Sequence, residues 1–288
     1  MGDTTTTLTY DGRSVLEYVH PTFDPDDVEH TKKPFHHVYT PSGSRRITKG
    51  QGGLYSHHRG LFFGYNQVQV AGDTLDVWHG ADGEHQQHVE VLQSWEGPVV
   101  GGHTVRIHWN DRDGEPFAEE IRTVRTFHQP DGRLLVEFET TVRTEQDTVV
   151  LQGDRQHAGV QFRAAQAVAE NAGETRFIRP DGWRDRPRDQ EVNDSAHVDL
   201  PWNAIQFPLG GQPYTVAYLT DPSNPDGAYF SERRYGRFGE YFPWTLTEEN
   251  PLHARYRWVI FGGQQSVRGE ITRYYEQLAD PVEVQVLE

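Results

Sequence analysis

Imidazole has an ordinary pKa of about 6.5, so a histidine can give or take a proton, or ligate a metal, near neutral pH. This 288-residue sequence has fifteen histidines, and eleven of them fall at or before His108. Three short pieces concentrate the chemistry. The first, Pro34-Phe-His-His-Val-Tyr-Thr-Pro-Ser-Gly43, holds His36 and His37 ahead of a turn. The second, Ser56-His-His-Arg-Gly-Leu-Phe-Phe-Gly64, places His57, His58 and Arg59 in succession. The third, Trp78-His-Gly-Ala-Asp-Gly-Glu-His-Gln-Gln-His88, gathers His79, Glu84, His85 and His88 around a turn. A lone histidine is usually a surface or satisfied core residue. A group beside Gly-rich turns is harder to explain by packing, because loops on a rigid scaffold are where sites are built.

Two kinds of chemistry suit these residues. In acid–base chemistry, His36, His57, His58 and His85 move protons, and Arg59 stabilises an oxyanion or grips a carboxylate bidentately. Proton abstraction beside a carbonyl or at an anomeric hydroxyl is common to epimerisation, β-elimination and hydrolysis of an oxidised sugar. Tyr39, Tyr235, Tyr241 and Trp244 offer rings for apolar sugar faces, and Arg163 can bond hydroxyls. In metal chemistry, imidazoles with one carboxylate suit zinc, manganese or iron(II). The candidate ligands are His79, Glu84, His85 and His88, with His58 as a further option for a two-His-one-carboxylate triad; no strict metal motif is present. If His57 and His58 lie on a strand, they face opposite sides, and only one enters a given pocket with Arg59 turned away from His58. A pocket lined by His36 and His58 is the expected centre. Glycosidase chemistry needs two facing carboxylates, and among Glu84, Asp154, Glu232 and Glu240 no spacing selects a pair. No Gly-x-Ser-x-Gly occurs, and Gly50-x-Gly-Gly53 lacks the Lys-Ser/Thr of a phosphate loop. The alternative of a different class is a non-catalytic carbohydrate-binding module.

The elements that must position these groups are strands. Val105, Ile107 and Trp109 alternate with polar residues, as do Leu134, Val136 and Phe138, Val160 and Phe162, and Tyr256, Trp258 and Ile260. Asp-Gly pairs at Asp11, Asp82, Asp113, Asp131, Asp181 and Asp226 separate such runs. The pattern predicts a dozen or more short strands in one large antiparallel β-sandwich spanning residues 1–288. One helix is predicted over residues 266–279, where Val267, Ile271, Tyr274 and Leu278 recur at helical spacing and Asp280-Pro281 ends it. A final strand is expected at residues 282–287. Residues 180–203 and 220–253 resist assignment to strands, and the second, rich in Tyr, Phe and Trp, reads as a packed lid or rim.

Composition sets the limits. Aromatic residues reach 12% and can fill a core although hydrophobic residues total only 35%. A net charge of −16 argues against nucleic acid and against anionic membrane surfaces. The absence of cysteine removes disulfides and thiolate chemistry. With no long apolar run and no signal-like N-terminus, a soluble, cytoplasmic protein acting on a small-molecule or oligosaccharide substrate is expected. Lys32, Lys33 and Lys49 are the only lysines.

Taken together, the motifs resemble a bacterial family catalogued as domain of unknown function 6807, often labelled "PmoA". Its Phe-His segment with Tyr-Thr-Pro-x-Gly matches Phe35 to Gly43, and its His-His-Arg-Gly-Leu-Phe-Phe matches His57 to Phe63. Weaker matches fall at Gly159 to Arg163, Asp221 to Pro225 and Tyr235 to Gly239, and His37 departs from the usual Pro. The label implies a membrane methane oxygenase subunit, which a chain without a spanning segment contradicts. The resemblance implies instead a sandwich similar to the galactose-mutarotase superfold, in bacteria that process glycans.

Overall fold

The computed structural model describes residues 4–129, 132–183, 197–263 and 267–281. The strand expected at residues 282–287, and much of the 180–203 stretch, lie outside these residues.

Alternating apolar residues generate one broad antiparallel sheet of eight strands. Its order is Arg176–Ile178, Trp202–Leu209, Gln212–Thr220, Leu252–Gly262, Arg133–Arg143, Pro116–His128, Val100–Asn110 and His85–Trp95. Because side chains alternate across a strand, Val136 and Phe138 point to one face with their neighbours Tyr256, Trp258 and Ile260. There they meet Phe63, Tyr65, Val149, Leu151, Val160, Phe162 and Phe238 from smaller sheets opposite. Each such large side chain contributes about 1.5–3 kcal/mol by leaving water. The opposing layer has two four-stranded sheets. One runs Trp244–Leu246, Val149–Leu151, Val68–Val70, Asp73–Leu75, and the other Tyr229–Arg233, Arg237–Tyr241, Ala158–Arg163, Phe63–Tyr65. A buried hydroxyl ties the layers, Tyr218 donating to the Val160 carbonyl at 3.0 Å, and within the opposing layer Tyr65 donates to the carbonyl of Phe242 at 2.9 Å. The architecture is thus the large antiparallel sandwich that alternation predicts.

A three-stranded sheet of Thr5–Tyr10, Arg13–Val19 and Phe35–Val38 completes the layer. Its first hairpin turns at Asp11 and Gly12, both with positive φ (49° and 74°), as a tight Asp-Gly turn requires. The C-terminal helix is Arg268–Ala279, two residues shorter at its start than predicted. Ile271 and Leu278 cover Leu135, Leu219, Val259 and Phe261 on the outer face of the large sheet. No helix among the described residues is long and apolar enough to cross a membrane.

The 220–253 stretch is a correction. It contains three strands, Tyr229–Arg233, Arg237–Tyr241 and Trp244–Leu246, where an irregular lid was expected. The first two are short and buried along most of their length, so neither shows the alternation that marks a half-exposed strand.

Candidate functional site

Two of the sequence pieces are brought together by a backbone contact. His36 and Leu61 exchange both amide hydrogen bonds, at 2.9 and 2.8 Å. The approach is so close that a Cβ at Gly60 would lie 1.9 Å from the His36 carbonyl oxygen, which is why a glycine follows Arg59. Residues 55–58 then form a turn, closed by the His58 amide on the Tyr55 carbonyl at 2.8 Å, rather than the expected strand. His57 and His58 therefore do not face opposite sides; their rings meet edge-on with centroids 4.5 Å apart.

His57 converges with two histidines from distant turns. The ring nitrogens available on His57, His79 and His157 all lie within 4.8 Å of one another, and all three side chains are half-buried. Identical local devices aim two of these rings. His79 Nδ1 donates to Asp76 Oδ2 at 2.7 Å, and the His79 amide donates to Asp76 Oδ1 at 2.7 Å. His157 Nδ1 donates to Asp154 Oδ2 at 3.0 Å, and its amide to Asp154 Oδ1 at 3.0 Å. The ring must donate here because the carboxylates only accept, which leaves Nε2 of each ring as the nitrogen free to accept. Burial would raise the Asp154 carboxyl, but bonds from His157, the Gln156 amide and Asn66 hold it well below the usual range. Burial, then His79, Arg163, His157 and Lys33, push His57 down to about 3, so its imidazole is neutral at pH 7.

Beside this trio lies a bed of buried cations. Lys33 is fully buried, donates to the Trp78 carbonyl and sits 4.0 Å over the Phe62 ring. Burial lowers it well below the usual lysine range, helped by Arg59, Lys32 and Arg163. The Arg163 guanidinium is sandwiched near Trp78 (4.5 Å) and Phe62 (5.3 Å) and donates from Nη1 to the Gln161 carbonyl at 2.9 Å. Its Nε and Nη2 have no hydrogen-bond partner. Burial and Arg237 press its pKa downward, yet a guanidinium keeps its proton at neutral pH. Arg237 is fully engaged, by Gln161 Oε1, Ser231 Oγ and the Tyr235 hydroxyl at 2.9, 3.0 and 3.3 Å. His58 is driven far down by burial, then by Arg163, His57, Arg237 and Lys49. Tyr55, 45% exposed and strained at φ 53°, stacks on His58 and Tyr235 with centroids 5.1 and 4.5 Å away. All three lysines belong to this neighbourhood: Lys49 bonds the Gly50 and Gly52 carbonyls, and Lys32 pairs with Glu29 at 2.7 Å.

Other predicted site residues lie elsewhere. His36 is not in a pocket with His58: it stacks on Tyr18 (4.5 Å) and its Nε2 is 2.8 Å from that of His103. His88 joins that second group through the Tyr18 hydroxyl at 3.1 Å. The expected grouping of His79, Glu84, His85 and His88 about one ion does not form. His85 stacks on Phe23 at 3.7 Å and bonds the Gly83 carbonyl and Asn110, while Glu84 Oε1 accepts from the Asp76 amide. Alternation along the His85–Trp95 strand, with its register shifts, separates the two histidines. Arg59 is buried and pairs with Glu29 at 3.0 Å, its Nε and Nη1 unpartnered. Tyr39 bonds Glu17 at 3.0 Å, Tyr241 the Gln152 carbonyl at 2.5 Å, and Trp244 pairs in strand register with Leu151. Thus His57, His58, His79, Arg163 and Tyr235 come together, and the others do not. A separate cleft, lined by Leu8, Tyr10, Val99, Phe127 and Leu134, holds none of these histidines.

Sequence reasoning missed His157, Asp76, Lys33, Arg237 and Tyr55. The repeated Asp-x-x-His of Asp76/His79 and Asp154/His157 was the available signal, but Asp27 and His30 show the same spacing on an exposed surface.

A search of curated protein sequences finds no match. Among solved structures the chain is similar to a GalM/aldose epimerase homologue from C. elegans, at 9% identity and a TM-score of 0.38, covering 80% of this chain and 92% of that one. It is also similar to the alpha-N-acetylgalactosaminidase NagBb from Bifidobacterium bifidum, at 12% identity and a TM-score of 0.36. That match covers 75% of this chain and 37% of the galactosaminidase. Residues 5–276 match a family whose description assigns no activity. The chain belongs to that family, the family of unknown function DUF6807.

Proposed function

We propose that the protein is a carbohydrate-active enzyme that acts on an oxidised sugar, whose carboxylate docks on Arg163 beside the imidazoles of His57, His58 and His79. One observation carries this reading. Arg163 is buried, and its Nε and Nη2, the two donors of one guanidinium edge, are both unpartnered. That edge is the fork that binds a carboxylate through two parallel hydrogen bonds. A buried charge without a counter-charge costs several kcal/mol, so a site that keeps one is complementary to an anion. Tyr55 and Tyr235 supply ring surface at the exposed side for the apolar face of a sugar. His58, held neutral by burial and by the charge of Arg163, is the group that takes a proton once a substrate carboxylate offsets that charge, and epimerisation, elimination or hydrolysis next to the carboxylate all need such a group.

A panel of uronates, aldonates, matched neutral sugars and glycosides, followed by NMR, tests this. Turnover of an acidic sugar, reduced about 100-fold in Arg163→Gln and not rescued by Arg163→Lys, is expected, because lysine cannot offer a fork. Equal handling of the neutral sugars, or full activity in Arg163→Gln, defeats the proposal. Binding of acidic sugars without turnover moves the protein to the binding-module class.

A further inference from the structure

We infer that His57, His79 and His157 hold a divalent transition-metal ion, with a further coordination position open to water or a substrate oxygen. The inference stands apart from the sugar reading, since ion binding is measured without any substrate.

Three observations carry it. The first is convergence: donors from three turns, at residues 57, 79 and 157, lie within 4.8 Å of one another. Tetrahedral ligands at 2.0–2.1 Å from zinc stand about 3.4 Å apart. The trio therefore needs to close by up to about 1.4 Å, and His57 follows Gly52 and Gly53, both in the left-handed region, on a loop. The second is tautomer control. With Nδ1–H of His79 and of His157 each donated to an aspartate, Nε2 is the nitrogen each ring has left as an acceptor. Converging acceptors repel unless a cation or a donor lies between them. Carboxylate-clamped imidazoles are the usual outer arrangement of histidine metal sites, because the clamp fixes the ring and raises ligand basicity. The third is charge. Asp76 and Asp154 place two carboxylates directly behind the His79 and His157 rings, which offsets a dication against Arg163 and Lys33 on the His57 side.

The ligand chemistry narrows the ion. Imidazole alone, with no thiolate in the chain and no carboxylate in the inner set, suits zinc, iron(II), nickel or copper rather than magnesium or calcium. Three protein ligands leave the fourth tetrahedral position open, as in catalytic rather than structural zinc sites. The twin Asp-x-x-His turns are built on rigid surroundings. Trp78, next to His79, is fully buried. Gly153 precedes Asp154 where a Cβ would meet that of Ala158 at 2.5 Å.

The test uses the full chain, stripped with a chelator and dialysed against ZnCl2 or CoCl2 alone. One equivalent of ion per chain by elemental analysis is expected, with the visible absorption of tetrahedral cobalt. His157→Ala weakens binding at least 100-fold, Asp76→Asn and Asp154→Asn weaken it about 10–100-fold, and His103→Ala leaves it within twofold. Far-UV circular dichroism confirms folding, and the near-isosteric Asn variants keep the inference testable if an alanine variant does not fold. Sub-stoichiometric zinc and cobalt at micromolar concentration in the wild type, or equal loss in His103→Ala, overturns it.

Discussion

Two groups of histidines sit in this molecule and use the same side chain in opposite ways. In the first, His79 and His157 are tied outward to Asp76 and Asp154, so their free nitrogens converge with His57. In the second, the rings are tied to one another: His36 to His103 across 2.8 Å, His88 to the Tyr18 hydroxyl, and His20 and His36 both stacked on the Tyr18 ring at 4.7 and 4.5 Å. The nearest cation there, Arg122, is held by Glu120 at 2.7 Å, both fully buried. The first group thus has unspent lone pairs next to an unpartnered guanidinium, and the second has spent His36 Nε2, His103 Nε2 and His88 Nδ1 on itself, with the buried His36 Nδ1 left over. Histidine density alone does not mark a site; the partner of the second ring nitrogen decides whether the first is available.

If that division is right, the two groups respond differently to substitution. The largest effect belongs to the second group: His36→Ala removes a fully buried ring and should cost about 3 kcal/mol of stability by urea unfolding. His79→Ala, at a half-buried position, should cost about 1 kcal/mol while lowering turnover of an accepted acidic sugar about 100-fold. The reverse pattern breaks the comparison. Acid should come next. His88 and His103 are each pushed down to about 4, by burial first and then by His20 and Arg122, against about 6.5 when unfolded. Between those values the unfolded chain binds more protons, so stability is full above about 6.5 and is lost as pH falls towards 4. A melting-temperature series from pH 7.5 to 4 should show this, and His103→Asn should make it shallower by its own share, since His57 and His58 are lowered too; an unchanged slope in the variant removes His103 as a cause. The smallest effect is Tyr18→Phe, which leaves His88 without its hydroxyl partner and should cost about 1 kcal/mol in the same unfolding assay.

The sandwich was legible because its large sheet alternates. Val136 and Phe138 against Glu137 and Glu139 show the pattern, since one face meets the core and the other meets Arg125 and Arg257. The strand Arg237–Tyr241 did not announce itself so clearly, because every one of its residues is buried. The site was legible only in its sequence-local half. His57, His58 and His79 stand in conspicuous motifs, whereas His157 lies a further 78 positions along the chain from His79 and joins them only through tertiary packing. Lys33 was hidden for a different reason. A lysine next to another lysine reads as a solvated surface pair, and nothing local signals that Phe62 and Trp78 will enclose it.

The placement of the lysines has a practical consequence for handling the folded protein. Lys32, Lys33 and Lys49 are 6%, 0% and 4% exposed, and the chain has no thiol. Amine- and thiol-directed reagents therefore meet almost no reactive side chain on the native surface. A single cysteine introduced at an exposed position, such as Val99 on the connection before the Val100–Asn110 strand, becomes a uniquely addressable handle for a fluorophore or a surface tether. In the native protein, amine acylation that does appear at Lys33 reports on opening of the cationic bed itself.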